Sequence, residues 1–420
     1  MCYGFPNNKI FISNNNFSNL SKIKRIFRCF VAVFAFFMCF CVLENSLPFA
    51  IATSDDEENI KVELEENTND ILNDIDFSEI DELMQKMGIS LGGAADFKAM
   101  IADVIAGKEV FSFDLLFQNL KSQFGDLLKE ILSPLVMILV IILLCNLMSS
   151  LAPARTSGSV SDVIYFACLA VIVIIVSVLV RDIILVSKET IEGLSGQLNA
   201  IYPIIITLLT AVGSVQSVAT FSPIMVFFSG TLMNIFAGVL FPIFTFLIVS
   251  TIVSKLTPKS NLENMSGFLS STFKWILGGT CTVFMTMLSL QGVVAATKDG
   301  LSIKAAKYAI KNYIPFLGGY ISEGFEIVKA GSLLVKNAVG IVSVVLIFFT
   351  IIKPILYLAI LSLGLKLVCG ISGVVDNLKI SGILMSIANC LKFLVAIVIG
   401  VACMYFFLLM ILIGTGNNII

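Results

Sequence analysis

Residues 134–150 read PLVMILVIILLCNLMSS, and residues 160–180 read VSDVIYFACLAVIVIIVSVLV. Each run approaches the ~20 mostly apolar residues that a helix needs to cross a bilayer. Comparable runs follow at 201–219, 223–254, 274–296, 333–352, 354–369 and 388–413. The run at 223–254 is too long for one untilted span, and Pro242 divides it into either one bent helix or two short ones. The reading is an all-α, polytopic membrane protein with about seven spans over residues 131–420. Composition agrees, because 57% of the chain is hydrophobic and only 13% is charged, where soluble domains carry ~25% charged residues.

Outward from these runs the chain changes character. Lys22, Lys24, Arg25 and Arg28 precede the apolar stretch 30–43, and Ala50-Ile51-Ala52 closes it with small residues. Residues 1–52 therefore read as a signal peptide with a basic n-region, cleaved after Ala52. Residues 53–70 (TSDDEENIKVELEENTND) are acidic and poor in aliphatic side chains, and read as a disordered segment. From Ile71 to residue 130 apolar residues recur at helical spacing, through Ile75, Ile80, Leu83 and Met87, then Phe97, Met100, Ile101 and Val104, then Phe113 to Leu128. This predicts a small extracytoplasmic helical module. Residues 53–130 carry a net charge of −13 and residues 131–420 one of +7, so the overall −2 says little about partners. Lys304, Lys307 and Lys311 favour a cytoplasmic loop under the positive-inside rule, provided 223–254 crosses once.

Polar groups at membrane depth are the candidate functional residues, because a charge in hydrocarbon usually faces protein or water. The densest group is Glu323, Glu326, Lys329, Lys336 and Asn337 on one helix-sized stretch. It reads either as an interfacial amphipathic helix or as the polar lining of a pathway or partner groove. Asn146, Gln216 and Asn234 read as interhelical polar contacts. Pro242, Pro315 and Pro354 are candidate helix breaks. Lys353 and Lys366 read as interfacial anchors. An internal duplication, 190–296 against 297–413, is suggested by Gly193-Leu194-Ser195 with Gly300-Leu301-Ser302, Pro242-Ile243 with Pro354-Ile355, and Ser266-Gly267 with Ser381-Gly382.

No histidine occurs, which removes His-based triads and His metal sites. No phosphate-loop, nucleophile-elbow or zinc-protease motif is present. Neither enzyme activity nor a cofactor is expected, and no basic aromatic patch points to nucleic acid. The cysteines of the apolar runs read as small packing residues.

The stretch 305–340, AAKYAIKNYIPFLGGYISEGFEIVKAGSLLVKNAVG, resembles the stage III sporulation protein AE family, through Asn312-Tyr313-Ile314-Pro315, Gly318-Gly319, Gly331-Ser332-Leu333-Leu334 and Lys336-Asn337-Ala338. Residues 222–258 are similar to it through Ser229-Gly230 and Pro242, and the order of leader, external module and polytopic region matches as well. The resemblance implies a component of a sporulation-specific channel or secretion complex, sitting in the mother-cell membrane around the forespore. It implies partners too: exported ring-forming proteins and a separate cytoplasmic ATPase, with membrane lipids around the chain. Two other readings stay open, a non-conducting scaffold that recruits the ring proteins and an independent secondary transporter.

Overall fold

The computed structural model describes residues 57–87, 96–107, 113–151, 157–256, 262–313, 318–374 and 378–415. The leader, the cleavage site after Ala52, Pro315 and the side chains of Gln216 and Glu323 lie outside what is described. Residues 1–61 form one unit and residues 62–420 a second; of the first, only the beginning of α1 is described. Every described element is helical: α1 (Glu57–Asp74), α2 (Ser78–Lys86), α3 (Phe97–Ile105), α4 (Phe113–Leu151), α5 (Ser157–Ala211), α6 (Val215–Val226), α7 (Met233–Ile235), α8 (Phe241–Leu256), α9 (Leu262–Tyr313), α10 (Gly318–Val374) and α11 (Leu378–Gly414).

Residues 57–70 are helical, not disordered, which corrects the compositional reading. Thr68 and Leu72 are buried on one face of α1, and that burial offsets the cost of ordering an acidic chain. The expected helix through residues 71–87 is interrupted at 75–77. There the Ser78 N–H donates to Asp76 Oδ1 at 2.9 Å and starts α2 afresh. Backbone and side-chain hydrogen bonds from Ser78 hold the exposed Asp76 carboxyl below the usual carboxylate range. α2 and α3 close on each other through the Phe97 N–H donating to Asp81 Oδ1 at 2.7 Å and through the Phe77 and Phe97 rings, 5.7 Å apart. Ile80, Met84, Met100 and Ile101 complete a small core.

Among the described residues, six helical stretches are long and apolar enough to cross a membrane: Lys121–Met148, Val163–Ala211, Ser217–Lys255, Asn264–Leu290, Gly324–Gly373 and Ile380–Gly414. About seven were expected. The difference arises because runs read as separate spans are joined. Residues 160–180, 181–199 and 201–211 form the single helix α5, of 55 residues, and 333–352 and 354–369 lie in the single helix α10, of 57. At 1.5 Å per residue each is about 80 Å long, against about 30 Å of hydrocarbon.

Contacts give the directions. Leu135 of α4 meets Gly364 of α10, Gln197 of α5 meets Thr350, Ser381 of α11 meets Cys369, and Lys336 meets Ile413. Thr251 of α8 and Phe273 of α9 reach Cys390 and Phe393 of α11. The six long runs therefore alternate in direction. The α1–α3 module, the start of α10 and the ends of α5, α9 and α11 share one end. The helix that carries residues 304–311 runs toward the module end, because 181–211 is no separate crossing.

The turn after α5 needs Gly213, whose φ of +87° lies in the left-handed region; the Ser214 N–H donates to Leu209 O across it at 2.9 Å. Neither Pro242 nor Pro354 breaks its helix. Two π-helical turns, Phe227–Leu232 and Phe236–Leu240, precede Pro242. A proline offers no N–H, so carbonyls upstream shift to partners five residues on and the helix continues. Pro354 is buried inside α10, where neighbouring helices shield the interrupted ladder.

Exposed apolar side chains crowd the far end of the α4–α5 hairpin. Leu132, Val136, Met137, Val140, Leu143, Leu144 and Leu147 face outward on α4, as do Val163, Phe166, Val171, Ile174 and Val178 on α5. Lys129, Glu130, Arg181 and Asp182 bound this band on its module side. Its length along α4, residues 131–148, is about 27 Å, close to a bilayer core.

Candidate functional site

The predicted polar group divides in the structure. Glu326 is exposed, Lys329 is 5% exposed and Lys336 is fully buried. Lys329 and Lys336 stand two helical turns apart and so share a face of α10. The Lys336 ammonium donates to Ile413 O at 2.7 Å and to Thr415 O, the last carbonyls of α11. Those carbonyls have no partner within their own helix, and they form the negative end of its dipole. Lys336 therefore closes α11. Gly340, one turn along, carries the side chain of Ile413 where a Cβ would stand, which lets the end of α11 come within reach of the ammonium.

α1 lies over the same part of α10. A Cβ built on Gly331 would stand 3.0 Å from Asn67 Oδ1 and 3.4 Å from Ile71 Cδ1. Asn67 Oδ1, Ser332 Oγ and Asn337 Oδ1 are buried with no hydrogen-bond partner among the described residues. This seam is where the module and the long helices are joined.

A second polar level lies nearer the band. The Gln197 Nε2 donates to Thr350 Oγ1 at 2.7 Å and points to Met87 Sδ at 3.4 Å, while its Oε1 is buried and unpartnered. Gln197 thus ties α5, α10 and Met87, the residue that ends α2, together. Beside it is a cavity of about 540 Å³ lined by Lys86, Met87, Gln123, Glu189, Glu192, Gly193, Thr350 and Lys353, among others. Two carboxylates and two ammoniums around one cavity suit a dipolar group. Gly193 sets the spacing, since a Cβ on it would stand 2.6 Å from Met87 Cε. Gly193→Val should push the module off α5 and cost about 1–3 kcal/mol of stability, read as a lower thermal midpoint and faster proteolysis within residues 57–107; an unchanged midpoint and cleavage rate would show that this contact does not hold the module.

The remaining expected positions are not brought into this site. Asn146 is half-buried in the band and Asn234 is exposed. Gln197, Gln123 and Glu189 were not singled out from the sequence. The available signal was Gln197 itself, a polar residue in register with Ile191, Leu194, Leu198 and Ile201, the buried face of α5.

Comparison with known proteins agrees with the resemblance. The family model described as stage III sporulation protein AE matches residues 95–416. Among curated proteins the chain is similar to the stage III sporulation protein AE of Bacillus subtilis (strain 168), 26% identical over 323 residues, which cover 76% of this chain and 80% of that protein. No solved structure matches.

Proposed function

The chain belongs to the stage III sporulation protein AE family and acts in sporulation; from that premise we propose that it is the membrane-embedded component of a channel or secretion complex linking mother cell and forespore. It sits in the mother-cell membrane around the forespore, with the α1–α3 module outside the cytoplasm, where exported ring-forming proteins meet it. A cytoplasmic ATPase supplies energy from the other side.

One observation carries this reading. The module is clamped to α5 and α10, and both helices run on through the lipid-facing band. A partner held by the module is therefore coupled mechanically to helices that cross the membrane. Exposed Glu66, Asp70, Asp74, Glu79 and Glu82 give the module an acidic outer face suited to a basic partner. The scaffold reading draws on that same face, and the cavity separates the two. In a strain lacking this protein, E189Q with K353Q should assemble with its partners yet fail to support forespore development, whereas E79K with E82K should lose co-purification of exported partners. Normal development with the first pair would leave a scaffold. Normal co-purification with the second would remove the docking face.

A further inference from the structure

Two lysines from two helices meet at one aromatic ring, and a third from another helix stands near them. Lys274 Nζ of α9 lies 5.8 Å from the centroid of Phe393, and Lys392 Nζ of α11 lies 5.5 Å from it. Lys366 of α10 and Lys274 are both within electrostatic range of Lys392. The ring is buried and held edge-on by Phe273 at 5.0 Å. Helical side chains lean toward the N-terminus of their own helix. α9 and α11 run toward the module end, so Lys274 and Lys392 lean away from it; α10 runs oppositely, so Lys366 leans toward it. The ammoniums of Lys274 and Lys392, both exposed at the helix surface, therefore lean toward the half-buried Lys366.

The convergence lies at membrane depth. Contact of Leu135 with Gly364 puts neighbouring Lys366 inside the band that α4 and α5 present to lipid. None of the three lysines has an ion-pair partner among the described residues. The aromatic face answers part of the charge, and three like charges this close, two of them exposed at the helix surface, attract an anion. Exposed Phe268, Leu363, Leu367 and Met385 lie one to two turns away on the same three helices, an apolar bed for acyl chains beside the cations.

We propose that Lys274, Lys366 and Lys392 form a site for a phosphate-bearing anion, presented here as the headgroup of an anionic phospholipid. The site stands apart from the module seam and follows from the multi-pass fold alone. The test uses the full chain purified in a neutral detergent, titrated separately with cardiolipin, phosphatidylcholine and inorganic phosphate, and read by native mass spectrometry and thermal midpoint. Cardiolipin should bind and raise the midpoint, less so as salt is added. K366Q with K392Q should weaken it roughly thirtyfold, from about fivefold for each lysine facing an anionic surface, while K121Q, on the exposed face of α4, should not. Should the double variant misfold, K274Q alone should weaken binding about fivefold. Equal binding of phosphatidylcholine, or unchanged cardiolipin binding in the lysine variants, overturns the site. Protection by inorganic phosphate alone upholds the anion site and overturns the lipid as its source.

Discussion

Replacing Lys336 by methionine should lower stability by about 2 kcal/mol and loosen the last turn of α11, because a hydrogen bond from a charged donor is worth about 1.5–3 kcal/mol. Two effects oppose each other at this position. Removing a buried ammonium relieves its desolvation, which favours the variant. Against that, the carbonyls of Ile413 and Thr415 lose their donor. The loss prevails because these carbonyls also form the negative end of the α11 dipole. Lys336→Ala should cost more, about 2–5 kcal/mol in all, since it also opens a void in a fully buried position. Glu326→Gln, on an exposed side chain, should stay within about 0.5 kcal/mol. Thermal unfolding in detergent gives the ranking, and amide exchange at residues 411–415 localises it. A Lys336→Met protein with wild-type stability that still failed in spore formation would return this lysine to a transport path.

The same residue shows how far the sequence can be read. Lys329, Lys336 and Asn337 were visible as polar residues on one helical stretch, and they do lie together. What Lys336 touches is 77 residues away along the chain, and no local pattern carries that distance. The apolar runs behave similarly. Residues 333–352 read as a membrane span because, apart from Lys336 and Asn337, they are apolar on nearly every side. In the structure most of them are buried by other helices, and a helix apolar all round fits either a bilayer or a protein core. Composition alone does not separate those two surroundings, so about seven bilayer-length segments were expected where six longer helices stand. The proline positions misled for a related reason. Pro354 removes one backbone donor, which ends a solvated helix but not one whose neighbours shield the gap. By contrast the α4–α5 hairpin was legible, since its apolar side chains do face outward.

Gly364→Ile should separate α4 from α10 and cost about 1–3 kcal/mol, the usual range for overpacking. A Cβ at this glycine would run into the side chain of Leu135, so the two helices touch there with no space to spare. Close helix contact through a small residue is a main source of association where lipid removes the hydrophobic drive. The contact also fixes the depth of the α4–α5 hairpin against the rest of the bundle. Alanine is the milder test, because the obstructing atoms lie at the end of a leucine that can change rotamer. A β-branched isoleucine removes that escape. Leu135→Ala supplies the decisive control. Alone it leaves a void and destabilises. Combined with Gly364→Ile it makes room for the new side chain, so the double variant should recover most of what Gly364→Ile loses. The coupling between the two sites should be at least about 1 kcal/mol, as for residues in direct contact. Unfolding midpoints of the four proteins in one detergent measure it. Simple additivity would mean that Leu135 and Gly364 are not in contact and that α4 docks on α10 in another register.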